Sequence, residues 1–357
     1  MTNKTKTLAT EPASWNPSRG CTRASPGCMH CYAEIQAARI ITMDRGKNIP
    51  EGRGSYDGLL AKGGQWNGTV AFVPEVLDAP LRWKRQRKIF VNSMSDVFHE
   101  SLDVRDIDKI FAVMALSYAS SDEPHIFQIL TKRSDIMLRY LTDPALMARI
   151  QGEAKVLRPG VKLHLESMWP LPNLWLGVSV ESQPYTSRIT NLLDAPAAVR
   201  WVSLEPLIGP INLFGVQDGD HTYNALSKRE GIGYRGVGLD WVVVGGESGD
   251  LARPMHPHWA ESLRRQCAQT NVPFLFKQWG SWCPRGPASL GHPVVDGVPV
   301  MCVTELGVDR AKTTEGDPSK DAWMNRAGKK RSGRSLNGVI YDDYPHALAS
   351  IQKAPLL

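Results

Sequence analysis

The chain has 357 residues, 42% hydrophobic and 22% charged, with 42 Lys and Arg against 36 Asp and Glu for a formal charge of +6. These proportions exclude a disordered or fibrous chain, and no run approaches the roughly 20 apolar residues that an α-helix needs to cross a bilayer. Residues 1–14 are polar and carry no apolar signal segment, so the expected location is the cytoplasm, with no membrane partner.

The first chemical signal is at residues 21–31, which hold Cys21, Cys28 and Cys31 in a C-x6-C-x2-C arrangement ahead of a helix-like stretch. Six cysteines are too sparse for a disulfide scaffold, and three of them crowded into eleven residues favour metal. A turn at Ser25-Pro26-Gly27 would swing Cys21 back toward the other two, and soft thiolates select zinc or an iron–sulfur cluster. A structural zinc normally closes with four protein ligands, whereas three thiolates on a four-iron cluster leave one iron open. His30 is a candidate fourth ligand, although its place next to Cys31 makes joint chelation strained. Cys267, Cys283 and Cys302 could also close the site through the fold.

Next comes a Gly-rich stretch, 45–68, that fits no regular element and reads as an insertion. The densest basic run follows, with Arg82, Lys84, Arg85, Arg87 and Lys88 around Trp83. An aromatic among cations suits a nucleic-acid surface, and a plain solvated face is the bland alternative. Short apolar runs then alternate with helical patterns: strands are predicted at 89–93, 126–130, 174–180, 201–204, 241–244 and 274–276. Between them, Ile107, Ile110, Phe111 and Met114 have helical spacing behind Asp103 as N-cap. Ile189, Leu192 and Leu193, and later Trp259, Leu263 and Cys267, mark two further helices. The segments 215–238 and 284–334 read as further insertions.

This alternation predicts an α/β fold, a partial or complete (β/α) barrel. Residues 1–280 would form the barrel, with insertions at 45–68 and 215–238. Residues 281–357 would be a C-terminal extension packing on it. Polar residues follow the strands where parallel barrels place their chemistry: Ser93 and Asp96, Lys132, Glu181, Glu205, Gly245-Gly246-Glu247, then Lys277 and Gln278. Each taken singly is ordinary turn chemistry; six in register point to a site.

Trp15-Asn16-Pro17, Gly20-Cys21, Ser25-Pro26-Gly27-Cys28 and Cys31-Tyr32-Ala33-Glu34 resemble the opening of a bacteriophage and prophage family of unknown function. The stretches 92–96, 130–133, 203–207, 245–249 and 276–280 are similar to it too, as is the ending from Gly328 to Pro345. That family in turn resembles the radical S-adenosylmethionine superfamily, whose partial (β/α)6 barrels carry a three-cysteine loop near the N-terminus. The resemblance implies a 4Fe–4S cluster on Cys21, Cys28 and Cys31 at the barrel mouth, S-adenosylmethionine as cosubstrate, and an electron donor to reduce the cluster. Tyr32, Ser93, Asp96, Gly245, Gly246 and Glu247 are then candidates for binding the cosubstrate, and Lys132, Glu181, Glu205, Lys277 and Gln278 for catalysis or substrate binding. Two departures stand out: six residues separate the first two cysteines where the superfamily has three, and Gly-Gly-Glu follows a late strand rather than the second.

The expected function is an iron–sulfur enzyme acting on a substrate linked to a nucleotide or to DNA, in the cytoplasm of the bacterial host if phage-encoded. The main alternative is a nucleic-acid-binding module with a structural zinc or cluster knuckle. A metal-free hydrolase using Glu205 and Glu247 as paired carboxylates is a third reading, and it leaves the cysteines without a role.

Overall fold

The computed structural model describes residues 11–233, 235–307 and 321–345. Seven strands, β1 (Glu11–Trp15), β2 (Arg87–Val91), β3 (Ile126–Thr131), β4 (Leu174–Ser179), β5 (Val199–Leu204), β6 (Trp241–Gly245) and β7 (Phe274–Gln278), form one sheet in chain order. Every neighbouring pair is parallel. The sheet is half of a (β/α) barrel. Because the strands are parallel, all their C-terminal ends reach the same rim. Six of the seven lie where the apolar runs predict them, and β1 is the addition.

Side-chain alternation sorts the sheet into two faces. Ile89, Val91, Phe127, Ile129, Leu176, Val178, Val202, Val244 and Phe276 join the large core under the helices. Phe90, Ile126, Leu130, Trp175, Trp201, Trp241, Val243 and Leu275 form a second cluster on the other face. Trp175 meets Trp241 edge-on at 5.9 Å, and Trp201 lies 5.4 Å from Trp241. This packing explains the glycine inside β4, since a Cβ on Gly177 would sit 2.3 Å from the Trp201 ring. Nearer the C-terminal ends the same face turns small and polar, with Ser179 and Ser203 paired across β4 and β5.

Helix α1 (Tyr32–Gly46) follows the cysteines. In α2 (Val104–Ala119) the side chain of Asp103 accepts a bond from Arg105 N at 2.8 Å, as its N-cap role predicts, and Ile107, Ile110, Phe111 and Met114 are buried. Helices α3 (Ser134–Leu141), α4 (Leu146–Leu157), α5 (Ser187–Asp194) and α6 (Pro257–Thr270) complete the outer layer. Trp259, Leu263 and Cys267 are buried on α6.

The three predicted insertions have structure of their own. Most of 45–68 folds back on α1, burying Tyr56, Leu59 and Trp66 with Ala33, Ala37 and Met94 beside Cys21 and Cys31. Within 215–238, Val216–Asp218 and His221–Tyr223 pair as a hairpin. Cys283–Pro284, Ala322–Asn325 and Val300–Val303 make a small antiparallel sheet. Beyond it the chain returns to β7, where Leu275 bridges Asp342 and Phe276 N donates to Tyr341 O. There the ring of Tyr344 lies 5.0 Å from that of Trp241 on β6 and 3.9 Å from the ammonium of Lys88 on β2. No helix among the described residues is long and apolar enough to cross a membrane.

Candidate functional site

The cysteine loop is shaped by the turn that its sequence predicts. Pro26–Cys28 is a single 3-10 turn in which Cys28 N donates to Ser25 O at 2.9 Å, and Cys31 leads directly into α1. All three thiols are free and partly buried. Burial pushes the Cys21 thiol up to about 12; Asp96 adds to the rise, Arg133 opposes it, and Cys28 and Cys31 each add a further increment. Burial likewise raises Cys31, against the N–H groups of Glu34 and Ala33 at the start of α1. A metal binding at Cys21 and Cys31 would therefore have to displace protons. Buried Glu34 accepts from Arg23 at 2.8 Å and from Trp66 N at 3.0 Å, joining the loop, α1 and the 45–68 segment.

Two carboxylates that follow sheet strands bond to this loop. Glu181, after β4, is 0% exposed. It accepts from Gly27 N at 3.4 Å and from Arg188 Nη1 at 3.0 Å. Glu247, after β6, is held by Arg253, with Nη2 2.7 Å from Oε1 and Nε 2.8 Å from Oε2. Nδ1–H of His30 donates to the same Oε2 at 3.1 Å, and Arg253 also reaches Pro26 O at 3.0 Å. His30 thus spends one ring nitrogen on Glu247. Arg253 and His30 were not singled out as partners from sequence, because nothing in local spacing links residue 30 to residues 247 and 253.

Burial alone would raise the Glu247 carboxyl, but bonds from the Arg253 side chain and backbone and from His30 outweigh it, leaving the group below its ordinary value of 4.5. A carboxyl whose folded value is depressed contributes stability above the ordinary value and loses it as pH falls through the folded one. The stability difference between the wild type and Glu247→Gln is therefore expected to be constant from neutral pH down to about 5 and to shrink on further acidification. Urea denaturation of both proteins across that range checks it; a difference that grows below pH 4 would contradict the sign.

The paired glycines have a packing cause. A Cβ on Gly246 would lie 1.9 Å from Trp279 O, and one on Gly245 would lie 3.0 Å from a carboxylate oxygen of Glu205. Backbone 246–247 and backbone 279–280 approach too closely for any side chain.

A second chain of polar contacts runs along the strand ends. Lys132 Nζ donates to Ser179 Oγ at 2.6 Å, and Ser179 Oγ lies 3.5 Å from Glu205 O. Glu205 in turn binds Lys277 Nζ at 2.7 Å and Gln278 Nε2 at 3.1 Å. Tyr32 Oη donates to Ser93 O at 2.5 Å, and Ser93 Oγ to Asn16 Oδ1 at 3.0 Å. The Tyr32 side chain is otherwise more than half exposed, so its bond to Ser93 is what ties the start of α1 to the end of β2. Asp96 is occupied by Thr131 Oγ1, Lys132 N and Arg133.

The basic run does not join these groups. It precedes and enters β2 at the end opposite the C-terminal rim. Arg82 pairs with Asp78, the Arg87 guanidinium stacks 4.9 Å from the Trp83 ring, and burial lowers Lys88 beneath Tyr344. Arg82, Lys84 and Arg85 are exposed. Cys267, Cys283 and Cys302 are buried on α6 and the small antiparallel sheet.

Among the described residues, no group of three or more His, Cys, Asp or Glu side chains converges on a single ion position. A cavity of about 960 Å³ adjoins the loop, lined by Cys31, His30, Met29, Ile35, Met43 and Leu251 among others.

No curated protein and no solved structure matches the chain. A family model described as "Protein of unknown function (DUF5131)" matches residues 5–345. That match spans nearly the whole chain, the cysteine loop and every strand of the half-barrel included, and the chain belongs to this family.

Proposed function

We propose that Cys21, Cys28 and Cys31 hold a 4Fe–4S cluster at the mouth of the half-barrel, and that the protein is an enzyme of the radical S-adenosylmethionine type. The observation that carries this reading is three free, partly buried thiols on one short loop that is bonded to Glu181 and Glu247, which follow β4 and β6. The donor set fits the group. A mononuclear zinc needs its ligands gathered on one ion, which the described side chains do not do, and His30 is tied to Glu247. A cluster spreads its thiolates over separate irons and leaves one iron open when only three are supplied. When bound, it supplies one-electron chemistry to a cosubstrate, S-adenosylmethionine in this reading, with electrons from an external donor.

The protein's own residues then bind, orient and exclude water. Lys132, Glu205, Lys277 and Gln278 form the polar chain best placed to receive a substrate, and the two ammonium groups suit an anionic one such as a nucleotide. Tyr32, bonded to Ser93 O, joins the cysteine loop to the end of β2. Glu247, Asp96 and Glu181, already fully engaged, act by holding the frame. Tyr56, Leu59 and Trp66 keep water from the Cys21 and Cys31 side.

Anaerobic purification followed by iron and sulfide analysis tests the proposal. Near four irons and four sulfides per chain, together with deoxyadenosine released from S-adenosylmethionine after reduction, are the expected results. A colourless chain carrying one zinc, or neither metal, would overturn it.

A further inference from the structure

Arg133 follows β3 and is 7% exposed, a costly place for a cation unless its partners require it. Its Nη1 lies 3.1 Å from Asp96 Oδ2 and 3.7 Å from Cys21 Sγ. Its Nε lies 2.6 Å from Glu100 Oε2, and its Nη2 lies 3.2 Å from Thr22 O and 2.6 Å from Thr22 Oγ1. Thr22 Oγ1 is held in addition by His99 Nε2 and Glu100 Oε1, both at 3.0 Å. The fork is thus fixed on both sides, by carboxylates from the segment after β2 and by the residue next to Cys21.

We propose that Arg133 is a positioning residue for the first thiol and an N–H donor to its sulfur, setting the reduction potential of the group that the three cysteines hold. The inference rests on the cluster reading above. A neutral thiol accepts hydrogen bonds weakly, so a guanidinium aimed at sulfur has its full effect only when that sulfur is an anionic ligand. Hydrogen bonds to cluster sulfurs favour the reduced state by drawing off negative charge. Removing this donor also leaves Asp96 and Glu100 uncompensated, a change of the same sign. Lysine at this position keeps the charge but cannot reproduce the planar fork.

The test uses the full chain, purified anaerobically, as wild type, Arg133→Gln and Arg133→Lys. Iron and sulfide content and the cluster midpoint potential, followed by electron paramagnetic resonance, are the readouts. The expected result is retained iron with a midpoint shifted to lower potential in Arg133→Gln and a smaller shift in Arg133→Lys. Should Arg133→Gln fail to fold, the shift in Arg133→Lys alone decides. Retained iron with an unmoved midpoint would overturn the inference and leave the cluster reading standing. Loss of iron from both variants would also overturn it, because Arg133 would then serve the fold of the loop rather than the potential. A wild-type chain without iron would overturn the cluster reading itself, and this inference with it.

Discussion

Replacing Glu181 by alanine is expected to destabilise the protein by about 3–5 kcal/mol, the scale of breaking a buried ion pair from one side. Glu181 is fully buried and its partner Arg188 nearly so. Alanine would leave that guanidinium without a counter-charge, held by the carbonyl of Ser179 and the ring of Tyr185. It would also strip the acceptor from Gly27 N in the middle of the cysteine loop. The loss is therefore predicted to appear twice, as a lower urea midpoint and as looser retention of whatever the cysteines bind. Glu181→Gln keeps the shape and an acceptor oxygen for Gly27, so it should fall between wild type and alanine. A cost below about 1 kcal/mol for the alanine variant would show that the pair contributes little, as exposed pairs do.

Alanine at Cys21, Cys28 or Cys31 is expected to bring iron content down to background in anaerobic preparations, since each thiolate would hold a different iron. Cys267→Ala should retain iron and cost about 1 kcal/mol in packing, because that side chain is buried on α6, as Trp259 and Leu263 are. Full iron in Cys28→Ala would remove it from the ligand set. A requirement for Cys267, Cys283 or Cys302 would close the coordination that the proposal leaves open.

The half-barrel was readable because its strands are apolar runs between helical patterns, a signal local to each segment. β1 escaped that reading: EPASW carries one large apolar residue and a proline, and it lies at the sheet edge, where a missing N–H is tolerated. The polar strand ends were readable too, since topology alone delivers them to one rim. Their partners were not. Arg133 with Cys21, Arg253 with Pro26 and Glu181 with Gly27 join residues more than a hundred positions apart, and no spacing encodes such contacts. Gly245 and Gly246 teach the same lesson in backbone terms, because their need for a bare Cα comes from Glu205 and from the carbonyl of Trp279. In the basic run Arg82, Lys84 and Arg85 are exposed, while Arg87 and Lys88 stack on Trp83 and Tyr344, and the second of those contacts is again one that no local spacing encodes.

Tyr344 touches Lys88 from β2 and Trp241 from β6, so a late segment of the chain rests on both an early and a late strand of the sheet. During synthesis those strands emerge well before their common neighbour, and Trp241, which packs with Trp175 and Trp201, lacks the Tyr344 ring in the meantime. Contacts this distant in sequence form slowly, because the intervening chain must be ordered first. The nascent protein thus carries a temporary apolar surface, the kind that chaperones bind and that drives aggregation at high expression. Slow induction at low temperature should accordingly raise soluble yield more than a stronger promoter does.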